Sequence, residues 1–206
     1  MTQSQTKVHF DLSGGHLALD FANTVSDRLG SQPRERLNDY RDLVAFGDHS
    51  HVYPLRAVDR LYARAGQASD AAKTTLQNAL RLREAIFAIF SAVAEGRSAP
   101  ANALAVLTNA AQDSAAHGRL VSTSRGFQWE WIGMDAYPDS LLWPVARAAV
   151  DLLLSDQLGN VRICASDDCA WLFLDTTKNH RRRWCDMKTC GNRMKARRHY
   201  ERAKAG

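Results

Sequence analysis

The sequence predicts a mainly α (α+β) fold, a helical N-terminal domain with a small β-hairpin followed by a compact cysteine-containing module. Three features lead there. Several stretches repeat apolar residues every three to four positions, the period of a helix with one buried face. One stretch near Arg125-Gly126 alternates with period two, as a hairpin does. All four cysteines of the 206 residues, Cys164, Cys169, Cys185 and Cys190, fall after residue 160. With 45% hydrophobic and 24% charged residues, the chain has enough apolar side chains for a core, which argues against a disordered or fibrous class. No apolar run approaches the roughly 18–20 residues that cross a bilayer, and the start MTQSQTKVHFDLS lacks the layout of a signal peptide. A cytoplasmic protein with no membrane partner is expected.

Lys7–Leu12 alternates polar and apolar residues like a strand, and Gly14-Gly15 ends it before an apolar-rich helix over Leu17–Val25. Asn38 or Asp39 is placed to cap a short helix whose buried stripe is Tyr40, Leu43, Val44 and Phe46. Pro54 opens a helix that reaches Ala65 and stops at Gly66. The clearest helix follows Ser69 and runs to about Glu95, with Leu76, Leu80, Leu82, Ile86, Phe87, Ile89, Phe90 and Val93 on its apolar face. Pro100 suits the first turn of an alanine-rich helix ending near His117. Arg119–Ser124 and Phe127–Ile132 read as the hairpin strands, and Ser140–Asp156 as a further helix with Pro144 near its first turn.

Charge separates the last part of the chain from the rest. Residues 161–206 carry twelve Lys and Arg against five Asp and Glu, whereas the first 160 residues are net −2. With the cysteines in the same stretch, a boundary at 159/160 divides a domain of residues 1–159 from one of residues 160–206. The cysteines follow C-x4-C-x15-C-x4-C, two thiol pairs with a linker of the length used in small zinc modules. Zinc takes four soft ligands in a tetrahedron, and each pair can supply two from one turn. Two disulfides are the alternative, less compatible with a reducing compartment. Val161–Ile163 and Trp171–Leu174 bracket Ser166-Asp167-Asp168 as short strands, and Cys190-Gly191 precedes a helix over Asn192–Lys204. A hairpin carrying one pair and a helix start carrying the other make a treble-clef-like zinc finger. One structural Zn2+ is expected, and four cysteine ligands leave no coordination position for a substrate.

Arg183-Trp184-Cys185-Asp186-Met187, Cys190-Gly191-Asn192-Arg193 and the following Lys195, Arg197 and His199-Tyr200 resemble the CGNR zinc finger. The segment Gly14–Thr24, GGHLALDFANT, is similar to the start of the ABATE domain, the alanine-rich unit found upstream of that finger. Together these resemblances cover nearly the whole chain. They imply a stress-induced transcription regulator bound to DNA, with RNA as the other partner described for the zinc-ribbon-like part.

The basic residues agree with a nucleic-acid partner. Arg181, Arg182 and Arg183 lie between the cysteine pairs, and Arg193, Lys195, Arg197, Arg198 and Arg202 follow them, so guanidinium groups can meet phosphate oxygens. A helical projection puts Arg193, Arg197 and Lys204 on one side and Lys195, Arg198 and Arg202 on another, leaving Ala196, Tyr200 and Ala203 to pack on the zinc core. The contrasting reading is a solvated helix face. Trp184 suits burial beside the cysteines, with base stacking as its alternative. In the first domain His16, Asp20, Asn23 and Thr24 are candidates for binding a small-molecule effector. Asp20, Asn23 and Thr24, at i, i+3 and i+4, equally suit hydrogen bonds to a loop bearing Arg34 or Arg36. The usual enzyme motifs are absent, so a non-enzymatic regulator sensing a ligand or protein partner is expected. The alternative is an RNA-binding protein, or an enzyme of unrecognised type with its pocket in the first domain. The oligomeric state is not encoded in any feature of the sequence.

Overall fold

The computed structural model describes residues 10–51, 53, 55–65 and 69–205. Its elements in order are α1 (Leu17–Ala22), β1 (Val25–Ser26), β2 (Arg34–Glu35), α2 (Tyr40–His49), α3 (Leu55–Ala65), α4 (Asp70–Ala94) and α5 (Ala101–Ala116). They continue with β3 (Gly118–Thr123), β4 (Gly126–Trp131), α6 (Trp143–Leu153), β5 (Val161–Ile163), β6 (Leu172–Leu174) and α7 (Asn192–Ala205). The fold is mainly α with small antiparallel ladders, β1–β2, β3–β4 and β5–β6.

Local chemistry sets most of these boundaries. Asp39 caps α2 by accepting the Asp42 N–H at 2.9 Å, and Ser69 caps α4 through Ala72. Pro100, with an extended backbone, sits one position before the first turn of α5. A 3-10 turn over Pro138–Leu142 occupies what the sequence suggested was the start of α6. The predicted strand at Lys7–Leu12 lies partly outside the described residues, as do Pro54 and Gly66; Phe10–Leu12 form no strand, and Phe10 instead packs edge-on against Phe46. Helix α1 is shorter than expected, because the chain turns at Asn23 to enter the β1–β2 ladder.

The core gathers α1, α2, α4, α5 and α6 around Leu19, Phe21, Phe46, Ile86, Ile89, Phe90 and Trp143, all essentially inaccessible. Val161, Leu172 and Leu174 of the β5–β6 hairpin belong to this same core, whereas Phe173 on the opposite face packs with the four cysteines. Strand alternation thus makes three residues of β6 serve two cores. Among the described residues no helix is long and apolar enough to cross a membrane.

A buried arginine and its carboxylate partners fix the first ladder to α4. Arg83, only 5% exposed, makes two hydrogen bonds to Glu35 at 2.6 and 2.8 Å and one to Thr24 Oγ1 at 3.4 Å. Burial opposes ionisation of Glu35, but the Arg83 hydrogen bonds and charge outweigh it and hold the carboxyl below its ordinary range. Replacing Arg83 with Met is expected to cost about 1–2 kcal/mol, because the half-exposed Glu35 carboxylate loses its charged partner and keeps the Arg36 and Leu37 N–H groups. Urea unfolding of the variant checks this, and a loss under 1 kcal/mol would remove the cluster from the account of stability.

Candidate metal centre and basic helix

The first cysteine pair sits in a tight turn between β5 and β6. Cys164 donates its N–H to Trp171 O at 2.8 Å, Cys169 donates to Ser166 O at 3.2 Å, and Ala170 takes φ +57° to reverse the chain. Of the second pair, Cys185 precedes and Cys190 lies within a π turn, Met187–Gly191, that runs directly into α7; Asp186 opens it by accepting the Thr189 N–H at 2.8 Å. All four cysteines are unpaired and buried, and their Sγ atoms lie within 4.8 Å of one another. The Cys169–Cys185 and Cys185–Cys190 sulfur separations are 3.7 and 3.6 Å. Zinc–sulfur bonds of about 2.3 Å in a tetrahedron require sulfurs about 3.8 Å apart, so the donor set fits one structural Zn2+. The neighbouring thiols hydrogen-bond Cys190 and, with the Arg193 guanidinium 3.3 Å from its sulfur, hold its pKa below the ordinary thiol range.

The four residues Cys190-Gly191-Asn192-Arg193 each have a separate physical task. Cys190 supplies a sulfur. A Cβ on Gly191 would lie 2.5 Å from Met187 Sδ, so glycine here lets the Met187 side chain lie against the turn. Asn192 donates its side-chain amide to Lys188 O at 3.1 Å, tying the turn to the helix. Arg193 reaches back to Asp168 at 2.8 Å, Ser166 Oγ at 3.2 Å and Asp27 at 3.6 Å, so it joins the second cysteine pair to the first and to the helical unit.

The remaining basic residues divide into groups. Arg182 turns inward: it donates to Trp184 O at 2.9 Å, Ser13 O at 3.2 Å and Cys185 O, and stacks over Phe173. Arg197 pairs with Asp167 at 2.7 Å and with Glu201. Arg181, Lys195 and Arg202 are exposed and have no ion pair among the described residues; Arg183 and Arg198, also exposed, flank the Trp184 ring at 5.4 and 5.9 Å. Trp184 itself is half-buried against the cysteines. Ala196, Tyr200 and Ala203, expected on the zinc core, are exposed, Tyr200 by 63%. The reason is geometric. Arg193, Arg197 and Met194 turn the other side of α7 toward the cysteine turn, and from Lys195 to Lys204 every residue is exposed.

The polar edge of α1 is engaged internally. Asn23 exchanges hydrogen bonds with Leu172 N and O at 2.9 and 2.8 Å, as a strand residue would. Thr24 donates to Phe21 O and meets Arg83. His16 stands at the N-cap position of α1. Its pKa is lowered, mainly by burial, with Asp151 opposing. Asp20 accepts the Gly14 N–H at 2.8 Å, a contact that a Cβ on Gly14 would block at 2.7 Å. The partners Leu172, Arg83 and Glu35 were not legible as site residues, since each meets its counterpart across a long sequence separation; Arg182, expected at the nucleic-acid surface, instead turns inward to the Trp184 and Cys185 carbonyls.

Burial raises the Asp20 pKa from 3.8 to about 7, against the Gly14 hydrogen bond and with Asp11 adding to it. The folded state thus keeps this proton longer than the unfolded chain. The contribution is favourable below pH 4 and is lost as pH rises to 7. The advantage of Asp20→Asn, which keeps an acceptor for Gly14 and cannot ionise, is expected to grow from under about 1 kcal/mol near pH 4 to roughly 4 kcal/mol near pH 7. Urea unfolding of both chains from pH 5 to 8 measures the gap, and a gap independent of pH would refute it.

Comparison with known proteins places both units. Residues 15–156 match the ABATE family, described as "Putative stress-induced transcription regulator". Residues 160–203 match the CGNR zinc finger. No curated protein sequence matches the chain. The match over most of the chain, joined to a cysteine set that fits zinc, shows that the chain belongs to the ABATE family and ends in a CGNR zinc finger.

Proposed function

We propose that this regulator holds DNA through its zinc finger, with the exposed side of α7 and the 181–183 loop as the contact surface, and that the helical domain of residues 1–159 supplies the regulatory input. One observation carries the reading. From Lys195 to Lys204 every residue of α7 is exposed, and the helix displays Lys195, Arg198 and Arg202 on one side without carboxylate partners among the described residues. A helix that is polar all round gains nothing from its own core, and an array of unpaired cations at a fixed spacing suits a phosphate backbone. Zinc fixes the base of that helix, and its four sulfur ligands leave no position for a substrate, which favours a binding role over catalysis.

The test is to incubate the zinc-loaded chain with sheared genomic DNA and with total RNA, then sequence what is retained. Enrichment of duplex DNA fragments sharing a motif is expected. Retention of RNA alone, or of neither, would overturn the reading.

A further inference from the structure

A cavity of about 380 Å³ lies between α1, the β1–β2 ladder and the zinc finger. Its size is in the range of small-molecule sites, roughly 300–1,000 Å³. Phe10 and Trp171 provide apolar walls, Ser26 and Arg36 come from the first ladder and its exit, Thr189 and Arg193 come from the base of α7, and Cys169, Cys185 and Cys190 of the metal centre also line it, so part of this space is the seat of the zinc. Most of its polar groups already have partners. Arg34 binds Asp27 at 2.7 Å, Arg193 binds Asp168, and Asn23 is held by Leu172. Asp11 and Asp20 accept backbone N–H groups from Ser13 and Gly14.

What remains is a set of donors. Arg36 is half-buried, and its guanidinium donates only through Nε, to Ser26 Oγ at 3.3 Å. Among the described residues no carboxylate meets it, and its terminal N–H groups have no acceptor. The Ser26 hydroxyl, receiving that bond, keeps its own proton to give, and the Thr189 hydroxyl has no partner among the described residues. A half-buried guanidinium lacking an anion, beside two hydroxyl donors and apolar walls, is complementary to a carboxylate with a small apolar body.

We infer that this cavity is an effector site for a small carboxylate, held by Arg36, and that its occupant contacts both the helical unit and the base of the basic helix. The inference deepens the regulatory half of the function proposed above. The Arg193–Asp27 bond across the wall between the two units is long at 3.6 Å, so an anion entering here competes with Asp27 for Arg193. Any difference in that competition between two seatings of α7 shifts their populations.

The full-length, zinc-loaded chain is titrated with acetate, succinate, benzoate and phenylacetate to 10 mM at constant ionic strength, with the matching amides as controls, while backbone amide resonances are followed. At least one carboxylate is expected to saturate and to shift the amides of Ser26, Arg36, Thr189 and Arg193, its amide counterpart binding at least ten-fold more weakly. Arg36→Gln, with unchanged zinc content, should weaken the bound carboxylate at least ten-fold. Saturation by none of the four, shifts mapping elsewhere, or equal binding by the variant would overturn the site. The shift map of the wild type decides the matter even if the variant fails to fold. A second arm measures affinity for a retained DNA duplex with and without the carboxylate, a change of about five-fold or more being expected. Duplex binding that ignores the carboxylate overturns the regulatory half. Absence of duplex binding overturns the DNA reading, and the titration still judges the site.

Discussion

Replacing Cys185 with Ala, or withdrawing zinc with a chelator, is expected to loosen the whole chain and not only its C-terminal module. Zinc binding in small cysteine modules supplies about 10–16 kcal/mol at neutral pH, much of it as folding free energy. Here that energy also holds the β5–β6 hairpin, whose Val161, Leu172 and Leu174 line the main core. If the hairpin detaches, each of these side chains forfeits roughly 1.5–3 kcal/mol of burial. The Asn23 amide loses both of its Leu172 partners in a buried position, at about 1–3 kcal/mol more. The total is comparable to the roughly 5–15 kcal/mol by which whole domains are stable. Thermal melts followed by far-ultraviolet circular dichroism should therefore show one transition that moves down sharply on chelation. A fragment of residues 1–159 should be less helical than the same residues in the intact chain. A helical melt indifferent to zinc would show that the helical unit stands alone, as its long apolar helices suggest when read without the hairpin.

That difference marks where the sequence is informative. The α4 face, the Ser69 and Asp39 caps and the cysteine spacing are local signals, expressed within one or two turns of chain, and each appears where its residues place it. The hairpin's second role is not local. Leu172 and Leu174 look like any short apolar run, and only the tertiary fold puts Asn23 beside them, 149 residues away. The same limit explains Arg182. In the sequence it is the middle of an arginine triplet, equivalent to its neighbours; in the fold its guanidinium satisfies the Trp184, Cys185 and Ser13 carbonyls and covers Phe173. The two-residue β1–β2 ladder, with Arg83 beneath it, gave no periodic signal because two residues are too few to show a period.

Changing Lys195, Arg198 and Arg202 together to Ala should abolish most nucleic-acid affinity while leaving the fold intact. None of the three has a carboxylate partner or a buried surface among the described residues, so nothing in the described structure is lost with them beyond the contact of Arg198 with Trp184. Each phosphate neutralised on B-DNA contributes about −0.9 to the slope of log K against log salt. With Arg181 and Arg183 the exposed set numbers five, which gives a slope of roughly −4.5 for the wild type and about −2 for the triple variant. Arg182→Ala should behave differently. It removes the donor to the Trp184, Cys185 and Ser13 carbonyls beside the metal centre, so it should lower the melting temperature and zinc retention while leaving the slope of the surviving folded protein nearly unchanged. Arg197 stands between these cases. Its ion pair with Asp167 is exposed, and exposed pairs are worth only about 0–1 kcal/mol, so DNA can draw the guanidinium away at small cost. Asp167→Asn should then raise affinity, by freeing Arg197 and removing a negative charge from the contact surface. Salt titrations of these chains on two unrelated duplexes separate the outcomes. A flat response in the wild type, or a triple variant that binds as the wild type does, would leave α7 as a solvated helix and return the search for a partner surface to the rest of the molecule.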